Sequence, residues 1–239
     1  MRKTELQINL SNLENNLKVI KSITSSEIQA VIKANAYGLD INEVCEAIED
    51  HVESFAVITV DEARNLRKIT KKPILILQGI HEITDYHEIK NSDLDFVIHS
   101  DWQLENIPNI NFPNNRAWLK INTGMNRLGF NPEEFLEKYQ KLTDKKFKDL
   151  VIMSHLASSS EKSDPKNKEQ IELFTNLTKD ISNKKSLANS GAIFNFIESH
   201  FDIVRPGIAI YGGKYLEYGI KPVTCLRSKI TMLKNIKAG

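Results

Sequence analysis

Along this chain of 239 residues, short unbroken apolar runs alternate with stretches whose apolar positions recur every three or four residues. The first kind reads as strand buried on both faces, the second as helix lying on a core. A polar-interrupted strand at 6–10 comes first, and Ser11 is placed to cap a helix over 13–23. Strands then follow at 28–33, 55–60, 73–78, 94–99, 117–121, 150–155, 187–190 and 203–205. Between them the pattern predicts helices at 41–49, 61–69, near Tyr86, around Trp102, and at 132–142, 169–181 and 192–199, with a polar loop over 158–168. Strands without polar alternation, separated by helices, describe a parallel sheet. Eight such units at this length predict an α/β fold of the (β/α)8 TIM-type barrel kind, which takes roughly 250 residues. An open doubly wound sheet is the competing arrangement. The tail departs from the pattern: Lys221-Pro222-Val223 leads into a β-rich stretch over 224–236. Neither it nor the strand at 6–10 has a place in the ring. The expected organisation is therefore a barrel over 11–219, with 1–10 and 220–239 supplying strands of a second β-domain most of which lies outside this chain.

Composition narrows the classes of function. The chain is 41% hydrophobic and 26% charged, an ordinary globular balance. A formal net charge of +1 argues against a nucleic-acid surface or a polybasic membrane patch. The two cysteines, Cys45 and Cys225, match no metal-site spacing and fit a reducing compartment. The polar N-terminus reads as no secretory signal, and no apolar run approaches the roughly 20 residues of a membrane span. The expected setting is the cytoplasm, and the expected partner is a small molecule.

In a parallel barrel the working residues sit where strands end, at the carboxyl face. Lys33 ends the first ring strand, in the run Val31-Ile32-Lys33-Ala34-Asn35-Ala36-Tyr37-Gly38. A lysine held there and partly desolvated is a nucleophile suited to a carbonyl. Lys120 ends the fifth strand and Arg127 lies in the loop after it; His155 ends the sixth, Asn189 and Ser190 the seventh, Arg205 the eighth. Ser190-Gly191 and Gly207-Ile208 follow strands seven and eight, the frequent phosphate site of barrel enzymes, and Tyr37 can add its hydroxyl. Taken singly, each has a plain structural reading: a surface lysine, a helix cap, a turn glycine. Together on one rim, these polar residues suggest a site.

The octet around Lys33 resembles the pyridoxal-phosphate lysine motif of the alanine racemase family. Val60-Asp61-Glu62-Ala63 is similar to that family's segment after the second strand, and the run from Leu119 to Phe130, with Lys120 and Thr123-Gly124-Met125-Asn126-Arg127, to its central motif. Met153-Ser154-His155-Leu156-Ala157 resembles its histidine motif. Leu187-Ala188-Asn189-Ser190-Gly191-Ala192 and the run from Phe201 to Gly212 resemble its phosphate and pyridine region. The order agrees from near residue 5 to residue 239.

The resemblance implies a cofactor, pyridoxal 5'-phosphate (PLP), and an activity, racemisation of alanine. It implies that Lys33 carries the cofactor as a Schiff base and is one of two catalytic bases. Tyr37, Ser190, Gly207 and Ile208 hold the phosphate, with Asn189 beside them. Arg205 faces the pyridine nitrogen, which a guanidinium can only donate to, weakening the electron sink and favouring simple proton exchange. Arg127 and Met125 contact substrate, and His155 packs beside the ring and links it to Arg205. Lys120 is a candidate carbamylated lysine buttressing Arg127. Asn122 stands where many members carry aspartate, which weakens the carbamate expectation. Ser186 stands where histidine is common, which leaves the support of Arg205 in question, and Asn126 replaces a frequent small residue. The family's opposite base is a tyrosine of the partner subunit in a homodimer, expected beyond residue 239, so this chain alone is expected to bind PLP yet racemise poorly. The alternatives are a non-catalytic PLP homeostasis protein and a barrel-type PLP decarboxylase of basic amino acids.

Overall fold

Eight parallel strands follow one another round a ring in chain order in the computed structural model, which describes residues 4–108 and 111–237. Residues 1–3 and 238–239 of the expected terminal strands lie outside the described residues. The ring runs β2 (Glu27–Val31), β3 (Ser54–Val57), β4 (Ile74–Ile76), β5 (Asp95–Ile98), β6 (Phe112–Lys120), β7 (Phe147–Met153), β8 (Lys185–Ser186) and β9 (Ile203–Val204). β9 returns to pair with β2 through Glu27↔Ile203 and Ile28↔Val204. Between β8 and β9 the closure is a single bridge, Asn189↔Arg205, with Asp202 N–H donating to the Lys185 carbonyl at 3.1 Å and Arg205 N–H to that of Ala188 at 2.9 Å. The closed barrel, and not the open sheet, is the observed fold.

Strand side chains divide by their period of two. One set, including Val31, Ala56, Leu75, Val97, Trp118 and Val151, fills the barrel as its own buried cluster. The other, including Ile28, Phe55, Ile74 and Phe96, packs outward under the helices. With both faces covered the strands need no polar alternation, which is why they read as continuous apolar runs. The helices are α1 (Leu10–Ile23), α2 (Ile41–Ile48), α3 (Val60–Arg67), α4 (Asp85–Asn91), α5 (Asp101–Glu105), α6 (Phe135–Thr143), α7 (Lys166–Thr178) and α8 (Ser190–Asn195). None among the described residues is long and apolar enough to cross a membrane.

Several boundaries differ from the pattern. Asn9, not Ser11, caps α1, its side chain accepting from Asn12 N–H at 3.2 Å. The two residue types cap about equally well, so the earlier one in extended geometry takes the place. α7 starts inside the expected loop, where Asp164 accepts from Lys166 N–H at 3.0 Å. The seventh ring strand ends at Ser186, before the expected 187–190, and Ser190 already belongs to α8. The helix expected over 192–199 is split into α8 and a short 3-10 turn, Ile197–Ser199. Outside the ring, β1 (Thr4–Ile8) pairs antiparallel with β10 (Thr224–Ser228), both exposed throughout. The β-rich stretch thus ends at Ser228, not near 236.

Candidate active site

The carboxyl ends of the strands enclose a cavity of about 400 Å³. Lys33, Tyr37, Lys120, Arg127, His155, Asn189, Ser190, Arg205, Gly207 and Ile208 all line it. Met125 lies on the same loop as Arg127, half-buried, but outside the lining. Lys33 does not end its strand. β2 stops at Val31, and the half-buried lysine opens a turn in which Ala34, Asn35, Ala36 and Tyr37 all have left-handed backbone, φ 52, 52, 53 and 57°. That turn brings Tyr37 over the Gly207 turn, and its ring lies 4.6 Å from that of Tyr211. A Cβ at Gly207 would collide with the Tyr37 hydroxyl.

One end of the cavity gathers hydroxyl and N–H donors. Asn189 caps α8, accepting from Ala192 N–H at 3.3 Å. The Ser190 hydroxyl oxygen accepts from Gly207 N–H at 2.9 Å and Ala209 N–H at 3.2 Å, tying the turn after β9 to the start of α8. Having accepted twice, that hydroxyl still has its own proton to give to a ligand. Gly191 is required by a close approach: a Cβ there would stand 2.6 Å from Ser159 C and 2.7 Å from Ser160 N. The loop after β7 is therefore pressed against the head of the helix. Ser159 is hydrogen-bonded to Asn189 Oδ1 at 2.5 Å, and Asn195 Nδ2 donates to its carbonyl at 2.8 Å.

The floor is cationic. Arg205 is fully buried; one terminal nitrogen donates to the Ser186 hydroxyl, the other to the carbonyl of Ser154 at 2.7 Å. Ser186 in turn donates to the Ile203 carbonyl at 2.6 Å. With no carboxylate partner among the described residues, burial brings the Arg205 pKa down to about 10. Lys120 is buried nearby, and desolvation followed by the charges of Arg205 and Arg127 lowers it to about 8. Burial first, then Arg205, Lys120, Arg127 and Lys33, hold His155 well below its ordinary value, so its imidazole is neutral at pH 7. Its Nε2 lies 3.5 Å from Asn189 Nδ2. The hydrogen bonds of Arg205 go to Ser186, Ser154 and Leu187 rather than to His155.

Arg127 stands on a loop pinched at its base. Phe130 N–H returns to the Lys120 carbonyl at 2.9 Å, and Asn122 N–H donates to the Phe130 carbonyl at 2.8 Å. Within the loop Asn122 Oδ1 accepts from the N–H groups of Gly124 at 3.2 Å and Asn126 at 2.9 Å. Asn122 thus shapes the turn that presents Arg127. Thr123 is anchored below it by Ser154 at 2.8 Å and by Gln170 at 3.3 Å.

The lining also includes Ile58, Leu77, Gln78, Ser159 and Ser160, which sequence reasoning passed over. Ile58 and Leu77 directly follow strands and Gln78 comes next after Leu77, so position alone could have flagged them. Ser159 and Ser160 sit in a polar run without periodicity, where nothing distinguishes a buried serine from a solvated one. Among all the lining residues there are four cations, Lys33, Lys120, Arg127 and Arg205, and no aspartate or glutamate. Such a cavity selects a ligand carrying more than one negative group, with a phosphate-sized dianion at the serine and glycine end.

A model of the family described as "Alanine racemase, N-terminal domain" matches residues 8–215. Alanine racemase of Vesicomyosocius okutanii is 38% identical over 241 residues, covering 99% of this chain and 68% of that protein. Among solved structures, the biosynthetic alanine racemase from Pseudomonas aeruginosa superposes with a TM-score of 0.89 at 32% identity, over 95% of this chain and 66% of its own. The alanine racemase from Bartonella henselae, solved with covalently bound pyridoxal phosphate, gives 0.82 at 26% identity, over 95% and 69%. The chain spans about two thirds of the length of these relatives.

Proposed function

The chain belongs to the alanine racemase family, and from that premise we propose that its barrel binds PLP and interconverts L- and D-alanine by moving the proton on Cα. The observation that carries the reading is the cavity lined by four cations and no carboxylate, with hydroxyl and N–H donors at one end. PLP fits this lining: its phosphate matches Tyr37, Ser190, Gly207 and Ile208, and the carboxylate of an amino acid matches Arg127. Bound there, PLP supplies an aldehyde that captures amino groups and a conjugated ring that takes up an electron pair from Cα.

The chain's own groups divide the remaining work. Lys33 would hold the cofactor through its amine, and that amine would also serve to hold a proton on its side of Cα. Arg205, locked by Ser186 and Ser154, is a fixed donor that would face the ring nitrogen and keep it from binding a proton. The neutral His155, beside Asn189, would pack against the ring. Lys120, which loses its ammonium proton more readily than an exposed lysine, would add its neutral amine to carbon dioxide and release a second proton to solvent, and the resulting carbamate anion would steady Arg127. The opposite face of Cα needs its own acid–base group, which on this reading comes from the partner subunit of a homodimer. A decarboxylase of basic amino acids, expected to set a carboxylate against the ring nitrogen, is disfavoured by a lining that has none.

The test is covalent. PLP incubated with the protein and then reduced with borohydride is expected to remain on a peptide containing Lys33, and Lys33→Ala to retain none. Incubation with each enantiomer of alanine in deuterated water, read by chiral chromatography and mass, is expected to show Cα exchange that disappears in the same variant. Reducible PLP on another lysine, or undiminished exchange in Lys33→Ala, would sink the assignment.

A further inference from the structure

The turn that presents Lys33 is held from outside the cavity. Thr59 caps α3, its hydroxyl oxygen accepting from Glu62 N–H at 3.3 Å. In a reciprocal capping box the glutamate at this spacing would return to the cap residue's own N–H. Glu62 does something else. Its Oε2 accepts from Ile58 N–H at 2.7 Å, at the end of β3, and its Oε1 accepts from Ala34 N–H at 2.8 Å. The Ala34 N–H belongs to the peptide bond that leaves Lys33, and it opens the run of four left-handed residues. L-residues resist that conformation, so the run persists only where surrounding contacts determine it. Other bonds act further along: Ala36 N–H to the Ile32 carbonyl at 3.0 Å, Leu39 N–H to the Asn35 carbonyl at 3.0 Å, and Ile41 N–H to Asn35 Oδ1 at 3.0 Å. The first step rests on Glu62.

We propose that Glu62 is a positioning residue for Lys33: its carboxylate clamps the Lys33–Ala34 peptide to the end of β3 and so fixes how the amine enters the cavity. This rests on the reading of Lys33 as the PLP lysine, and it adds to it a residue that does not line the cavity. A charged acceptor for two N–H donors is stronger than a neutral one and cannot be replaced by water without loosening the turn. The role differs from that of an ordinary helix cap, because Thr59 already supplies the cap of α3.

The experiment compares Glu62→Ala, Glu62→Gln and Thr59→Ala with the parent protein. Amide hydrogen exchange is followed in peptides spanning 33–38, and the rate of borohydride-trapped PLP attachment at Lys33 is measured in parallel. Glu62→Ala is expected to speed exchange at 34–38 by about tenfold or more and to slow attachment by a similar factor. Glu62→Gln, which keeps one carbonyl acceptor, is expected to fall between, and serves as the informative variant should the alanine form fail to fold. Thr59→Ala is expected to lower the melting temperature while leaving both readouts near the parent values. Parent-like exchange and attachment in both Glu62 variants would overturn the proposal, as would a Thr59→Ala effect equal to that of Glu62→Ala. If the parent itself takes up no reducible PLP at Lys33, the cofactor reading fails, and the exchange comparison, which needs no cofactor, still decides the role of Glu62.

Discussion

Lys120 shows what a single buried cation costs and what it permits. It has no carboxylate partner among the described residues, and burial with Arg205 and Arg127 brings its pKa to about 8. In the unfolded chain the same amine titrates at roughly 10.4. Between those values the unfolded chain binds the extra proton, so the contribution to stability rises as pH climbs through that window. Below it both states are charged and the cost of burying the ammonium is fully present. Lys120→Met, similar in length and uncharged, is therefore expected to melt higher than the parent at pH 7, with the gain shrinking toward pH 10. Thermal melts across that range check the sign. Carbon dioxide reverses the balance, because a carbamate attracts both arginines. With ¹³C-bicarbonate the parent is expected to give a carbamate carbon resonance that Lys120→Met lacks. The sequence made Lys120 visible as a strand-end lysine near Arg127. It could not reveal its environment: the substitution at Ser186 looked like a loss of support for Arg205, yet the serine hydroxyl sits against the guanidinium and accepts from it.

At the scale of elements, α8 illustrates two opposing effects at one glycine. Glycine inside a helix costs about 1 kcal/mol relative to alanine, so Gly191→Ala would stabilise an isolated helix. Here the added Cβ meets the backbone of Ser159 and Ser160 at 2.6–2.7 Å. Forcing the loop after β7 away costs about 1–3 kcal/mol and moves Ser159 off Asn189. The clash outweighs the propensity. Gly191→Ala is expected to be less stable than the parent in urea and to bind PLP about tenfold more weakly, measured by absorbance titration. A more stable variant with parent affinity would show that the loop yields freely. The sequence resolved this region only in part. The apolar period located helices and strands, but 158–168 is polar throughout, and period carries no information there. The seventh and eighth ring strands pair through two residues each, too few to display an alternation. Ser190 consequently read as the end of a strand when it begins a helix. The rim itself was legible because a parallel barrel puts every strand end on one face, whatever the exact boundary.

Across the whole molecule the ring is held unevenly, and the cavity opens at its weakest join. β6 and β7 share six aligned pairs, Phe112↔Phe147 and five from Arg116↔Asp149 to Lys120↔Met153, whereas β8 and β9 share no aligned strand pair and are joined by the Asn189↔Arg205 bridge and a few hydrogen bonds beside it. The order of strands was predictable, since each βα unit is formed locally and adds to its neighbour. The closure depended on contacts 16 or more residues apart, such as the Asn189↔Arg205 bridge and Gly207 N–H to the Ser190 hydroxyl. Those same residues form the serine and glycine end of the cavity, on both sides of the seam. A ligand gripping both sides binds the closed ring and not the unfolded chain, so it must stabilise the fold. At a hundredfold excess over Kd the gain is about 2.7 kcal/mol, and at about 2–4 °C per kcal/mol for a domain of this size the melting temperature is expected to rise by about 5–10 °C. Inorganic phosphate, held at the same end without the covalent link, is expected to give a smaller rise that survives Lys33→Ala and is reduced in Ser190→Ala. Hydrogen exchange is expected to slow most at 185–190 and 203–209, and least in β4 to β6. Equal slowing all round the ring would mean that the seam is no weaker than the rest and that the ligand does not act by closing it.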